Sequence, residues 1–342
     1  MVYFDCDYMT GAHPEVLRAL CETNTLSTPG YGQDSFCESA RRKILEACGI
    51  PEGDVFFMVG GTQTNATVID WLIGRGQGAV CADTGHINVH EAGAIEACGH
   101  KVIGLPANDG KIDADTIRDY IHDFYADDTW QHIVPPSMVY LSFPTELGTL
   151  YTRPELEAIA DVCHDAGIPL YIDGARLAFG LAASEDLSLP DLARIADIFY
   201  IGGTKCGSLF GEAVVSKDPS LLKGFMTHVK SHGALLAKGR LLGVQFDALF
   251  SDNLYGKIGR HAVDLALNLR KILTDKGYNT FIDSPTNQQF FILPNTVLDA
   301  LRRTSVSFEL WGPRGASESK VRFVTSWSTT PADLQALAEA LP

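Results

Sequence analysis

The sequence predicts an α/β fold, with a mainly parallel sheet sandwiched by helices and a small α+β C-terminal domain. Three observations carry this. From about residue 54, short apolar runs alternate with helical patterns, the texture of strands joined by crossover helices. Runs such as Met138-Val139-Tyr140-Leu141 are of the buried-strand type, apolar without an obvious wet face. After about residue 245 the alternation stops, and a long helix is followed by two apolar strand candidates and a closing helix. A chain of 342 residues also exceeds the size at which one core keeps growing, so a large domain (1–245) and a small one (246–342) are expected.

Taken in order, the first 50 residues read as one helix, about 14–21, and a Gly/Tyr-rich loop at 29–34, together a partner-facing arm. Residues 54–59 read as a strand broken by Gly60-Gly61, and 62–73 as a helix with Thr62 or Thr64 near its start. Strands are expected at 78–82, 101–104 and 138–143. Residues 153–166 form an amphipathic helix, opened by Pro154 and stopped by Gly167. A strand at 169–172 ends in Asp173, and a helix at 189–196 leads to a strand at 197–201 ending in Gly202-Gly203-Thr204-Lys205. The second unit offers a helix at 261–276, strands at 289–293 and 321–325, and a terminal helix from about Thr330 carrying Asp333.

Composition narrows the function. Lys plus Arg total 27 against 42 Asp plus Glu, a net charge of -15, which repels nucleic-acid backbones but leaves room for a small anion in a local pocket. No apolar run is long enough to span a membrane, and the N-terminus lacks the basic start and apolar stretch of a secretory signal. The eight cysteines are scattered, with no Cys-x-x-Cys pair, which suits a reduced, cytoplasmic protein.

In open α/β sheets ligands bind beyond the carboxyl ends of the strands, so the residues just after each strand matter most. They are Gly60-Gly61-Thr62-Gln63, Asp83-Thr84-Gly85-His86, Pro144-Thr145-Glu146, Asp173-Gly174-Ala175-Arg176 and Thr204-Lys205. Gly60-Gly61-Thr62 opens a helix and suits a phosphate, although on its own it reads rather as an ordinary strand-to-helix turn with a Thr cap. Lys205 ends an apolar strand among small residues, where a desolvated amine can attack an aldehyde or, more blandly, pair with an acid. Asp173 needs a partner, either a pyridinium nitrogen or Arg176. His86 suits stacking on a ring. With His90 and Glu91 it also has helical metal-ligand spacing, but no matching third ligand stands out elsewhere, and no metal is expected.

Taken together, Gly61-Thr62-Gln63-x-Asn65, Asp83-x-x-His86, Asp173-Gly174-Ala175-Arg176 and Thr204-Lys205 resemble pyridoxal phosphate enzymes of fold type I. The opening Asp5-Cys6-Asp7 through Thr10, the loop Tyr31-Gly32-x-Asp34 and the run Val321-Arg322-Phe323-Val324-Thr325 narrow the resemblance to low-specificity L-threonine aldolases, within the β-eliminating lyases. It covers nearly the whole chain.

The resemblance implies aldol cleavage of β-hydroxy-α-amino acids, with β-elimination or another amino-acid lyase activity on the same fold as the alternative. Lys205 would hold the cofactor covalently, and Asp173 would pair with its ring nitrogen. His86 would stack on the ring and lead as general base, with His132 second. Gly61, Thr62 and Thr204 would bind the phosphate. Arg176 and Arg322 would meet the substrate carboxylate. Tyr31 would reach across a subunit boundary in a homodimer or homotetramer with shared active sites, and Cys6 stands where the family usually has Ser. Lys230 and Lys238 fall where the family places basic residues toward the phosphate. Two other departures are Phe143-Pro144-Thr145-Glu146 in place of an acidic-Asn-Thr run, and Thr204-Lys205-Cys206-Gly207 in place of Ser-Lys-Gly.

Overall fold

The computed structural model of the protein describes residues 1–342. A short strand β1 (Val2–Tyr3) opens the chain. The central sheet is built from β2 (Asp54–Met58), β3 (Gly78–Ala82), β4 (Lys101–Leu105), β5 (Pro136–Ser142), β6 (Leu170–Asp173), β7 (Ile198–Gly202) and β8 (Glu212–Ser216), in the order β2-β8-β7-β6-β5-β3-β4. Only β8 runs antiparallel to its neighbours. The connection from β7 to β8 is too short for a crossover helix, so the chain can only turn back on itself.

Both faces of the sheet are covered, and side-chain alternation sorts residues between them. Val80, Val139, Leu141, Ile172 and Phe199 point into one apolar cluster. Ala79, Met138, Tyr140, Tyr171 and Tyr200 point into another on the opposite face. This explains why the strands read as continuous apolar runs. The expected helix at 153–166 is Arg153–Asp165, with Thr152 and Glu155 forming a reciprocal capping box.

The smaller layer is an antiparallel sheet of β9 (Asn279–Thr280), β10 (Gln288–Pro294), β12 (Glu309–Leu310) and β13 (Glu318–Val324), in the order β12-β13-β10-β9. Strand β11 (Val306–Ser307) pairs in parallel with β1, which stitches the first residues of the chain to the C-terminal layer. Phe4 is fully buried there, edge-on to Phe323 at 6.3 Å, and its carbonyl accepts from the Val324 N–H at 2.8 Å. That anchorage delivers Asp5, Cys6 and Asp7 to the junction of the two layers. No helix is long and apolar enough to cross a membrane.

Of the helices that depart from the sequence reading, two are instructive. Within the first 50 residues there is a second helix, Ser35–Cys48. Its signals are present: Asp34 caps the N–H groups of Phe36 and Cys37, Gly49 closes it at φ 66°, and Cys37, Ala40, Ile44 and Cys48 form its buried stripe. This segment is therefore packed structure with two helices. The long helix of the second unit runs Leu254–Asp275, two turns longer than expected at its start. Gly256 and Gly259 lower the propensity of that start, but Gly259 lies so close to Ala178 that a Cβ would meet its carbonyl oxygen.

Gly243 plays the same part between the helices Ser35–Cys48 and Arg240–Leu249. A Cβ there would lie 2.5 Å from the Cys37 backbone nitrogen. Gly243→Val is expected to force these helices apart and lower the urea-unfolding free energy by about 1–3 kcal/mol. An unchanged midpoint would mean that the contact is looser than described.

Candidate active site

One cavity of about 280 Å³ opens at the carboxyl ends of β5, β6 and β7, and its lining includes Gly61, Thr62, His86, Asp173, Arg176, Thr204 and Lys205. Antiparallel β8 contributes from its first residue, because Glu212 lies in register with both Met58 and Gly202. Tyr8, Glu91, Ser142 and Glu146 complete the polar wall.

Asp173 is the last residue of β6 and is almost wholly buried. Its Oδ2 accepts from the Tyr140 hydroxyl at 2.6 Å and from Asn65 Nδ2 at 2.8 Å, and its Oδ1 accepts from the Ala175 N–H at 2.9 Å. Burial alone raises its pKa, but the His86 ring and the hydrogen bonds from Tyr140, Tyr200 and Asn65 hold it below the usual carboxylate value. The group is thus kept ionised in a dry setting. Tyr140, Tyr171 and Tyr200 each stand two residues before the end of their strands, side by side on one face. Tyr171 in turn fixes Asn65 by donating to its Oδ1 at 2.8 Å.

His86 Nδ1 lies 2.8 Å from Glu91 Oε1, so its hydrogen points to that carboxylate and Nε2 is the free nitrogen. Glu91 also accepts from Asn65 Nδ2 at 2.8 Å, which links the His86 ring to the Asp173 network. The backbone N–H of His86 donates to Glu146 Oε1 at 2.9 Å. His90 is exposed, with its ring 5.7 Å from that of His86, and takes no part in the Glu91 contact. The trio with metal-ligand spacing in the sequence therefore acts as an orienting pair plus a surface residue.

Burial and the nearby Arg176 push the Lys205 amine below the ordinary lysine value, while Asp7, Asp173 and Glu212 oppose that. Burial, with the charge of Asp173, pushes Glu212 up to about 8 despite a 2.7 Å hydrogen bond from Thr204 and the nearby Lys205. Glu146 is raised as well, first by burial. The cavity therefore holds one firmly ionised acid beside acids that keep their protons more readily.

Arg176 donates to both oxygens of Asp7, from Nε at 2.7 Å and from Nη2 at 3.0 Å. Asp7 also accepts from Asn287 Nδ2 at 2.9 Å. Burial raises the Asp7 pKa, yet the Arg176 and Lys205 charges bring it below the usual value. Sequence reasoning missed this carboxylate, because only Cys6 was assigned from the Asp5-Cys6-Asp7 run. Cys6 itself lies beside Tyr8, not in the cavity wall.

Five other candidate residues lie outside the cavity wall of their own chain. His132 is exposed on the turn Trp130–His132, ahead of β5, while the cavity lies past the other end of that strand, roughly 20 Å away at strand rise. The fold thus takes it out of reach of its own chain's cavity. Tyr31 is 43 % exposed and flanks Met226 and Lys230, whose amine lies 4.5 Å over its ring. Lys238 is exposed, and neither it nor Lys230 lines the cavity. Arg322 lies behind the wall, held by Gln288 at 2.8 Å and by Glu309, with its guanidinium over the Trp311 ring at 4.9 Å.

This geometry agrees with the family to which the sequence aligns. Residues 4–281 match the family described as beta-eliminating lyase. The chain belongs to the beta-eliminating lyase family. A low specificity L-threonine aldolase of Pseudomonas aeruginosa is 29 % identical over 334 residues, covering 95 % of this chain and 93 % of that one. The threonine aldolase structure of Leishmania major superposes with a TM-score of 0.95 at 39 % identity, covering 99 % and 98 % of the two chains. An aspartate aminotransferase of Thermus thermophilus, 15 % identical, shares the fold with a TM-score of 0.71 over 100 % of this chain and 92 % of that one. The lyase is thus of fold type I.

Enzymes of this family use pyridoxal phosphate, and the residues present fit it. The helix Gly61–Leu72 starts at Gly60 with no side-chain cap, which leaves its first N–H groups for an anion, and a Cβ on Gly60 would meet nothing within 4 Å. An ionised carboxylate, a partly desolvated amine and an oriented imidazole complete a donor set matched to a protonated ring and an aldehyde.

The raised Glu212 gives a test. Between the usual glutamate value and about 8 the folded protein keeps a proton that the unfolded chain has lost, so this group makes stability fall as pH rises. In cofactor-free protein, Glu212→Gln is expected to remove that part of the slope between about pH 5 and 8 in urea midpoints. Parallel wild-type and variant curves would show that Glu212 titrates normally.

Proposed function

We propose that this lyase cleaves β-hydroxy-α-amino acids, L-threonine and L-allo-threonine among them, into glycine and an aldehyde, which from threonine is acetaldehyde. The observation that carries this reading is the convergence of Lys205, Asp173 and the Glu91-oriented His86 on one cavity beside an uncapped helix start. The activity named for the relatives in Pseudomonas and Leishmania supports it.

When bound, pyridoxal phosphate supplies an aldehyde that condenses with amines and a protonated ring that accepts the electron pair of a bond broken at Cα. Asp173, by staying ionised, would hold the proton of the cofactor's ring nitrogen. Lys205 would provide the amine that holds the cofactor's aldehyde. Gly61 and Thr62 offer N–H groups to the phosphate, and Thr204 is braced by Glu212. His86 would pack against the ring, with its free Nε2 placed to take the proton of the substrate's β-hydroxyl. Glu91 keeps its tautomer and angle. Returning a proton to Cα completes glycine.

Arg322 meets the substrate carboxylate by giving up Glu309, and Arg176 stays with Asp7 to shape the wall. Tyr31 stands outside the cavity of its own chain, which supports a homodimer or homotetramer in which it serves a neighbour's site. Division into a large domain, 1–245, and a small one, 246–342, agrees with the sheet layout, with β1 crossing between them. All eight cysteines are free thiols, which supports a cytoplasmic setting.

Lys205→Ala is expected to lose both the visible absorbance of the holoenzyme and its release of glycine from L-threonine. Full cleavage by that variant would overturn the assignment. His86→Asn should keep the absorbance but lower kcat by about 10²–10⁴-fold. From L-threonine, 2-oxobutanoate plus ammonia in place of glycine would point to β-elimination.

A further inference from the structure

Away from the cavity, the far end of the Gly61–Leu72 helix carries a cluster for which the proposed reaction has no use. Asp70, in its last turn, meets His228 and His232 of the Phe225–Ser231 helix and its cap, and also His100, which precedes β4. We propose that Asp70, His228 and His232 form a binding site for a divalent transition-metal ion of the zinc class, with His100 orienting the carboxylate.

Geometry carries the argument. Asp70 Oδ2 lies 2.8 Å from His232 Nε2 and 3.2 Å from His228 Nε2, and the ligand atoms of the three residues lie within 4.8 Å of one another. A tetrahedral ion with bonds of about 2.1 Å places its ligand atoms roughly 3.3–3.5 Å apart, so little rearrangement is needed. The second oxygen, Oδ1, is taken by His100 Nε2 at 2.9 Å, and the His100 side chain is only 1 % exposed. This is the outer partner that metal-bound ligands need to hold their angle.

His228 supplies an independent observation. Its Nε2 is buried and makes no hydrogen bond, although it lies next to a carboxylate oxygen. Two atoms that both carry lone pairs repel at that separation unless a cation or a well-aimed proton lies between them. Stacking near Phe225 and Trp71, with ring centroids 6.4 and 5.4 Å away, restrains the His228 ring. Both helices turn their C-terminal ends, with their partial negative charge, toward the cluster, which favours a cation. The three ligand side chains are 19–23 % exposed, so an ion can enter from solvent and keep a water in the fourth position. The bound ion would clasp two helices, one of which presents its first N–H groups to the cavity, about 14 Å away along the axis. Nothing in the sequence hints at this site, because Asp70 and His232 are 162 positions apart and only the His228/His232 pair has local spacing.

The test uses tag-free holoenzyme stripped with a chelator and dialysed against Zn²⁺, with bound metal measured by atomic emission. One ion per chain is expected, together with a thermal midpoint that climbs with Zn²⁺ concentration. His228→Gln and His232→Gln should each weaken binding at least about tenfold, and His100→Gln by about 10–100-fold. His122→Gln, on an exposed helix, should leave binding unchanged, and circular dichroism checks that every variant is folded. Absence of binding up to about 1 mM Zn²⁺, or binding that survives both His228→Gln and His232→Gln, overturns the proposal.

Discussion

Everything at the site depends on keeping one carboxylate charged where water is scarce. A lone ionised Asp in that position would lose several kcal/mol of solvation and would take up a proton instead. Asp173 escapes this because the fold brings it donors from three directions: Tyr140 from the neighbouring strand, Asn65 from the facing helix and the N–H of Ala175 from its own turn. The row of tyrosines makes sense on these terms. Tyr140 serves Asp173 directly, while Tyr171 fixes the amide of Asn65 and so decides which end of that amide faces the carboxylate. The same Asn65 nitrogen reaches Glu91, which aims His86. One network therefore keeps Asp173 charged and sets the orientation of the His86 imidazole.

Much of this was legible in the sequence. The parallel strands were readable because burial on both faces leaves unbroken apolar runs, and the residues after those runs fall at one end of the sheet by topology alone. Lys205, Asp173, His86, Gly61, Thr62, Thr204 and Arg176 accordingly share a cavity. The hidden part depends on contacts between distant segments. Asp7 meets Arg176 across 169 positions only because Phe4 is anchored in the small layer. The three tyrosines look like ordinary strand residues until three strands lie side by side. His132, assigned only from the resemblance, precedes β5 and so lies at the other end of that strand from its own chain's cavity.

The Ser35–Cys48 helix teaches a narrower lesson. Its caps and stripe are present in the sequence, but the preceding Pro, Gly and Tyr residues point to a loop. Tyr31 and Gly32 do adopt positive φ, so the loop is real, but it ends at Asp34, where the side chain begins a helix. A turn-rich stretch says where a chain bends and nothing about the element beyond the bend.

The two arginines illustrate how burial allots roles among like charges. Both carry acidic partners, so neither offers a substrate a vacant guanidinium. The cost of exchanging partners differs, however. Asp7 is buried, and taking Arg176 away from it would leave an unpaired charge in the interior, a change on the order of 3–5 kcal/mol. The Glu309 side chain is 44 % exposed and returns to water at little cost when released, because partly exposed ion pairs contribute about 1 kcal/mol or less. Arg322 Nε is also buried without a partner, an unmet donor that an incoming carboxylate can satisfy. An amino acid bound as proposed would thus displace the weaker acid, and the stronger pair would stay in place as a wall.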